Sequence, residues 1–365
     1  MGSKVVAAAV AAVMGVSGYR YDFPRDHFNH PDFQTEWWYY TGNLQTPDHH
    51  RFGFELSFFR QAAQPLDGET GIWRADQIYL AHLALTDIDG GTFYHTERLN
   101  RAGPGLAGSD FASGAYWNGN WHVRWKSLAT AEQELQAVCD RFTLTLNLRP
   151  EKPLVIHRKA SPYISFTRLA AAGELKWNGQ TLPVQGLAWM DHEFFNNPVG
   201  NGLGGWDWFS IQLDNNEEIM LYRFRSNPAS SSGTYIDASG AAHFLDSSQF
   251  SLSPGHLWKR YPVAWEIAIP SLQLQLSERP ALEDQELFTP NSVSPTYWEG
   301  AVTYKGQMRG QPAQGVGYLE MTGYAQDARP ILPGAPRSGS TRPRFPGHNA
   351  VSQAAKQNQS RAALL

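Results

Sequence analysis

The sequence predicts an all-β protein built from two copies of one strand-rich module. Three observations lead there: period-two alternation along most of the chain, near absence of helical periodicity before residue 350, and an internal repeat. Alternation places one set of side chains on a buried face and the other set opposite. It runs through RFGFELSFFR (51–60), QIYLAHLALTDIDGG (77–91), FTLTLNLRP (142–150), EIMLYRFR (218–225) and LQLQLSERP (272–280). DG, NG and SG turn signals break these runs, as antiparallel hairpins require.

The repeat is visible as five echoes in the same order. DHFNHP (26–31) is echoed by DHEFFNNP (191–198), EWWYYTGNL (36–44) by GWDWFSIQL (205–213), and FELSFFR (54–60) by IMLYRFR (219–225). LTDIDGGTFYH (85–95) is echoed by YIDASGAAHF (235–244), and FTLTLNLRP by LQLQLSERP. Two modules follow, residues 19–190 and 191–326, with WNGQTLPVQGLAW (177–189) as a hairpin leading into the second. Residues 327–365 are rich in Pro, Ser, Gln and Arg, with little to bury, and read as a disordered tail. A terminal amphipathic helix over 350–365 is the alternative.

Residues 1–18, MGSKVVAAAVAAVMGVSG, place Lys4 before an apolar run and end on a tolerable cleavage site. The expectation is a secretory signal and a periplasmic or secreted protein; an unfolded start would leave it cytoplasmic. The run is too short to span a bilayer, so no transmembrane span is expected. Charged residues make up 18% and the net charge is −4, so no footprint for nucleic acid stands out. Cys139 is the single cysteine, which excludes an intrachain disulfide and a cysteine-based zinc site. Aromatic residues reach 13%, and rings so costly to leave in water must fill cores or line a pocket.

Strand geometry sorts the rings. Trp37, Tyr39, Thr41 and Asn43 share one face of the first module, and Trp206, Trp208, Ser210 and Gln212 share the matching face of the second. Both faces pair two large rings with two small polar groups. That suits an apolar cavity with a few directing polar groups, of the kind small antiparallel barrels enclose; polar groups facing solvent are the alternative.

GNGLGG (200–205) fits a dinucleotide-loop spacing, but it follows a proline and precedes a strand, so it reads as a connection. His192-Glu193 starts like a zinc-protease signature, yet Asn196 stands where the second histidine belongs. His27, His30, His49 and His50 have no spacing that demands a metal, so neither metal nor cofactor is expected. No G-x-S-x-G elbow or Walker loop is present.

Asp191, His192 and Glu193 remain as the catalytic candidates. In an extended strand Trp189, Asp191 and Glu193 point one way, and Met190 and His192 the other. Carboxyls at i and i+2 stand about 6.5–7 Å apart, near enough to share proton handling. To deliver a proton near neutrality an aspartic acid must rise from about 3.9 to about 7, a bias of about 4 kcal/mol. Burial among rings and a second carboxylate can supply it. The competing reading is a structural latch, because Asp26-His27 fills the matching place in the first copy; Glu193 has no such counterpart.

FPRDHFNHPDFQTEWWYYTGNL, AHLALTD, GLAWMDHEF, GWDWFSIQLDNNEEIMLYRFR and YWEGAV (297–302) together resemble the AttH and carotenoid 1,2-hydratase group, whose members are often called secreted hydrolases. The resemblance covers residues 19–325 and implies two tandem lipocalin-like antiparallel β-barrel domains. It implies a bulky isoprenoid or lipid-like ligand held in a barrel or between barrels, acid-catalysed hydration or hydrolysis, and a proton donor at the position of Asp191. Trp37, Tyr39, Trp189, Trp206 and Trp208 would bind the ligand, with rings stabilising a carbocation. The alternative it implies is a non-catalytic lipid binder, or an accessory of an ABC export system meeting its permease. Phe194 departs from the family's usual tryptophan, and the loop after it is less polar than expected.

Overall fold

The structure, a computed structural model, describes residues 18–63, 76–103, 105–196, 205–225, 230–289 and 296–325. The signal-like segment up to residue 17, residues 197–204 of the glycine loop and the tail expected at 327–365 lie outside the described residues.

The first module contributes β1 (Thr35–Gln45), β2 (Arg51–Ala62), β3 (Gln77–Asp87), β4 (Thr92–Arg101), β5 (Ala107–Asp110) and β6 (Ala115–Asn118). It continues with β7 (Trp121–Ser127), β8 (Glu132–Val138), β9 (Phe142–Pro150), β10 (Val155–Ile156), β11 (Tyr163–Trp177) and β12 (Gln180–Phe195). The second contributes β13 (Trp206–Leu213), β14 (Glu218–Phe224), β15 (Ser230–Ile236), β16 (Ala242–Asp246), β17 (Ser251–Pro254) and the short pair β18 (Leu257–Trp258) and β19 (Tyr261–Pro262). It ends with β20 (Trp265–Ile269), β21 (Leu274–Pro280), β22 (Glu286–Leu287), β23 (Tyr297–Met308) and β24 (Gln311–Met321). Among the described residues there is no α-helix.

The first sheet runs β4-β3-β2-β1-β12-β11-β9-β8-β7-β6-β5, and the second β16-β15-β14-β13-β24-β23-β21-β20-β17. The two orders superpose, which is the repeat in three dimensions: β1 on β13, β12 on β24, β11 on β23, β9 on β21. The first sheet curls until its edges nearly meet, where Arg98 of β4 donates to the Asn118 carbonyl and Asn118 donates to the Tyr79 carbonyl. Both modules turn on a two-residue left-handed hairpin of the type that matches strand twist, Asn178-Gly179 and Arg309-Gly310. The first is the hairpin expected at 177–189.

Each sheet wraps its own core. Trp38, Tyr40, Leu56, Leu144 and Met190 lie inside the first; Phe209, Ile211, Trp265, Tyr304 and Leu319 lie inside the second. The opposite faces of β1, β12 and β11 pack against those of β13, β24 and β23 in a third cluster of Tyr39, Tyr163, Trp189, Trp208, Met220, Tyr222, Ala301 and Tyr318. The sheets approach so closely there that a Cβ on Gly53 would lie 2.6 Å from the Ala301 Cβ. Both strand faces are therefore buried in β1, β2 and the later half of β12, Ala188–Phe194.

This geometry explains the matched polar residues, and it corrects where they point. Asn43 Nδ2 donates to the Gly317 carbonyl at 3.1 Å, and Gln212 Nε2 donates to the Ala188 carbonyl at 3.0 Å. Asn43 and Gln212 superpose in the two sheets, as do Ala188 and Gly317, so the two bonds are one contact made twice about a pseudo-twofold axis. The faces expected to enclose a cavity within each barrel instead meet between the barrels, because each interior is already filled with aliphatic and aromatic side chains.

Two further expectations concern β12. The strand runs through the boundary expected at 190/191, pairing with Thr35–Gln45 as far as Phe195. The Asp-His echo is not part of the repeat: Asp26 and His27 sit in a short 3₁₀ turn, Arg25–His27, whereas Asp191 and His192 sit in a strand. In the sheets the counterpart of Asp191, which pairs with Tyr39, is Glu320, which pairs with Trp208.

Candidate functional site

Strand β12 splits its acidic run as alternation demands. Asp191 and Glu193 turn outward toward the second sheet, and His192 turns back into the first. Asp191 forms part of the wall of an inner cavity of about 100 Å³ between the sheets, with Tyr39, Tyr163, Trp208, Glu299 and Glu320 around it. Next to it is an outer chamber of about 680 Å³, walled by Tyr19, Phe33, Phe195, Phe224 and Ser230–Ser232. Trp37, Lys159, Glu193, Trp206 and Tyr222 border both. The outer volume suits a drug-sized molecule, whereas the inner one admits only its reacting end or a few waters.

Asp191 is 4% exposed, and among the described residues no arginine pairs with it. Tyr163 donates its hydroxyl to Oδ2, Ser165 donates to Oδ1, and Trp189 Nε1 donates to Oδ1 at 2.6 Å. Burial pushes the carboxyl up to about 7, against the pull of those three donors and with help from the nearby Glu193 charge. Behind Ser165, His157 Nε2 lies 2.7 Å from its hydroxyl, and His157 Nδ1 lies 2.9 Å from Thr234 of the second sheet. Burial holds His157 down to about 3, so it is a neutral ring that fixes the serine rather than a proton donor.

Glu193 belongs to the neck. Both its oxygens accept from Lys159 Nζ at 3.1 Å, and Ser161 donates to one of them. The same ammonium lies 4.3 Å from the Tyr222 ring centroid and 4.8 Å from that of Tyr163, so the pair is held by cation–π contact as well as charge.

His192 lies on the other face of β12, apart from Asp191 and Glu193. It stacks on Trp38 and places Nε2 2.8 Å from Glu36 Oε1, where His30 Nδ1 also sits at 2.6 Å. Arg60 Nε donates to the other oxygen at 2.8 Å. His30, Glu36 and His192 converge closely enough to ligate an ion, and Arg60 competes with any ion for the carboxylate by donating to its other oxygen. The knot is a buried ion-pair network, and it holds Glu36 well below the carboxylate range. Phe194, the departure from the family's tryptophan, stacks on His30 and faces away from the cavity.

Of the expected ligand-binding rings, Trp37, Tyr39, Trp206 and Trp208 line the cavity. Trp189 lines neither chamber and instead supports Asp191. Sequence reasoning missed Lys159, Tyr163, Ser165, Glu299 and Glu320. Glu320 takes a hydrogen bond from Trp206 Nε1 at 3.0 Å and is likewise pushed up to about 7 by burial. Glu299 accepts from Tyr39, and burial with Glu55 and Glu320 nearby raises it far above its ordinary value. The signal for Glu320 was the repeat read in register, AWMD (188–191) against GYLE (317–320). After Gly205 the chain enters β13 directly, with no helix to hold a pyrophosphate.

No helix among the described residues is long and apolar enough to cross a membrane. A crystal structure of an AttH protein from Nitrosomonas europaea is similar over 84% of this chain and 97% of its own, at 31% identity and a TM-score of 0.72. Kievitone hydratase from Nectria haematococca shares the fold at 16% identity and a TM-score of 0.63, over 78% of this chain and 88% of its own. A dehydratase of Emericella nidulans is 22% identical over 153 residues, which span 38% of this chain and 43% of that relative. The AttH-like family profile matches residues 15–324, and with the two-sheet fold just described this chain belongs to that family.

Proposed function

We propose that the protein adds water to, or removes it from, a carbon–carbon double bond of a bulky hydrophobic substrate, with Asp191 as the proton donor. The observation that carries this reading is a carboxyl buried at a cavity wall and poised near neutrality. Such a group is neutral often enough to give a proton and ionised often enough to take one back. The hydratase and dehydratase among its relatives support the reaction class.

The substrate's body lies in the outer chamber and its alkene end passes the neck. When Asp191 carries the proton, Tyr163 no longer needs to donate to it, and Trp208 Nε1, 3.1 Å from the Tyr163 oxygen, keeps that hydroxyl in place. The proton goes to one alkene carbon, and the positive charge on its neighbour is stabilised by the faces of Trp37, Tyr39, Trp206 and Trp208. Water then bonds to the cationic carbon and gives up a proton. The ligand is an isoprenoid or lipid-like molecule, and the protein is exported, on the strength of residues 1–18. The second reading is a carrier or an ABC-permease accessory, favoured by the aromatic outer chamber, which a binder would need as much as an enzyme.

A panel of polyene and prenylated isoprenoids incubated in water labelled with heavy oxygen tests this. Products one labelled water heavier, lost in Asp191→Asn with the fold intact, are expected. Equal turnover by Asp191→Asn overturns it, and tight binding without product from the wild type moves the protein to the carrier reading.

A further inference from the structure

The pseudo-twofold axis that duplicates the sheets also duplicates the acid. Asp191 on β12 faces Tyr39 in register, and Glu320 on β24 faces Trp208. Each carboxyl takes an indole N–H, from Trp189 at 2.6 Å and from Trp206 at 3.0 Å. Both line the same inner cavity, one from each sheet.

The two are not equivalent, and the difference assigns their work. Asp191 is 4% exposed and surrounded by three donors. Glu320 is half-buried and lines the inner cavity, and among the described residues Trp206 is its one hydrogen-bond partner. An oxygen fixed by an indole beside an open one is what a water needs in order to be both oriented and deprotonated. We propose that Glu320 is a second catalytic carboxyl, the base that takes a proton from the attacking water while Asp191 protonates the substrate. This rests on the hydratase reading above.

The step balances. The Asp191 proton forms a C–H bond with one alkene carbon; the water oxygen forms a C–O bond with the other, and the released proton joins Glu320. Asp191 ends ionised and Glu320 neutral, and one proton passing back across the cavity restores the start. Dehydration runs the same steps in reverse, with the two carboxyls exchanging roles.

The charges around Glu320 bear on when it is ionised. Asp191 and Glu193 face it from β12 and Lys159 from the segment before β11; the carboxylates raise it and the ammonium lowers it. Glu299 and Tyr297 approach from β23, Glu55 from β2, Tyr39 from β1 and Tyr222 from β14. Burial is the largest influence, and the Asp191 charge adds to it.

Two measurements decide the matter. First, infrared pH titration of the protein alone, with the Glu320 band identified by its loss in Glu320→Gln, should show the Glu320 midpoint falling in Asp191→Asn; an unmoved midpoint overturns the shared-proton pair. Second, with the panel member that the wild type hydrates, Glu320→Gln should add water about 10²–10⁴-fold more slowly. Deuterium from heavy water should still enter the recovered alkene within a few-fold of the wild-type rate, because protonation and its reversal need only Asp191. Glu320→Asp should restore part of the hydration. Hydration by Glu320→Gln within a few-fold of wild type overturns this inference and spares the Asp191 reading. Exchange and hydration lost together, with unchanged melting, also overturn it. A wild type that hydrates nothing on the panel removes the hydratase reading itself.

Discussion

The Tyr39 hydroxyl crosses from the first sheet to the second and donates to the Glu299 carboxyl. Both residues are buried where the sheets meet, so bulk water cannot readily replace a lost contact. Leaving one member of a buried polar pair without its partner costs about 1–3 kcal/mol. Tyr39→Phe should therefore lower unfolding free energy by that amount in urea titration. It should also raise Glu299 further, since the tyrosine's hydrogen bond favours the ionised carboxyl. No loss of stability would mean that the sheets do not depend on this crossing.

Asp191 makes stability depend on pH in a direction opposite to that of a salt-bridged carboxylate. Its folded value is about 7 against an ordinary 3.8. Below the lower value both folded and unfolded chains hold the proton, and the group contributes nothing to the slope. Between the two values the unfolded chain releases its proton while the folded one keeps it, so stability falls as pH rises toward 7. The accumulated cost at pH 7 is up to about 4 kcal/mol. Asp191→Asn should thus be more stable than wild type at pH 7, with the gain vanishing by pH 4. Urea unfolding of both proteins at pH 4, 5.5 and 7 measures it, and a gain that does not shrink on acidification contradicts the raised carboxyl.

Glu36 is the opposite case. It is fully buried with Arg60, which is also fully buried. Glu36→Gln removes the charge that neutralises the guanidinium and should cost about 3–5 kcal/mol. Glu36 itself lines neither chamber, although its partner Arg60 borders the inner one. Chemical denaturation should show the loss, while the infrared titration of Asp191 stays where it was. A shifted Asp191 would mean that the two faces of β12 communicate.

The two faces of β12 also show how far a sequence can be read. Alternation separated Asp191 and Glu193 from His192, and it grouped Trp37 with Tyr39 and Trp206 with Trp208, because the side-chain period of a strand is fixed by its backbone. It could not say which face turns inward, since both faces of β1 and β12 are buried and hydrophobicity no longer distinguishes them. Hence the strand faces alone suggested a cavity inside a barrel, whereas it lies between the two sheets, the other arrangement that the family resemblance implied. The Asp26-His27 echo misled for a different reason: two polar residues can recur by composition, while strand register is a property of pairing. Glu299 and Glu320 were illegible one by one, because what makes them unusual is the company of Tyr39, Asp191 and Trp206, brought together only when the sheets dock.

Ser165 tests whether the donors around Asp191 set its working range. Of the hydrogen bonds that favour the ionised carboxyl, that of Ser165 pulls hardest, ahead of Tyr163 and Trp189. Removing it in Ser165→Ala leaves burial less opposed, so the Asp191 carboxyl should rise above about 7. Activity that needs the protonated form should then persist to higher pH, with the alkaline limb of the pH–rate profile displaced in that direction. His157 loses its Ser165 contact but keeps Thr234, so the ring stays in place across the two sheets. An alkaline limb that moves to lower pH, or does not move, would show that a group other than Asp191 governs that limb.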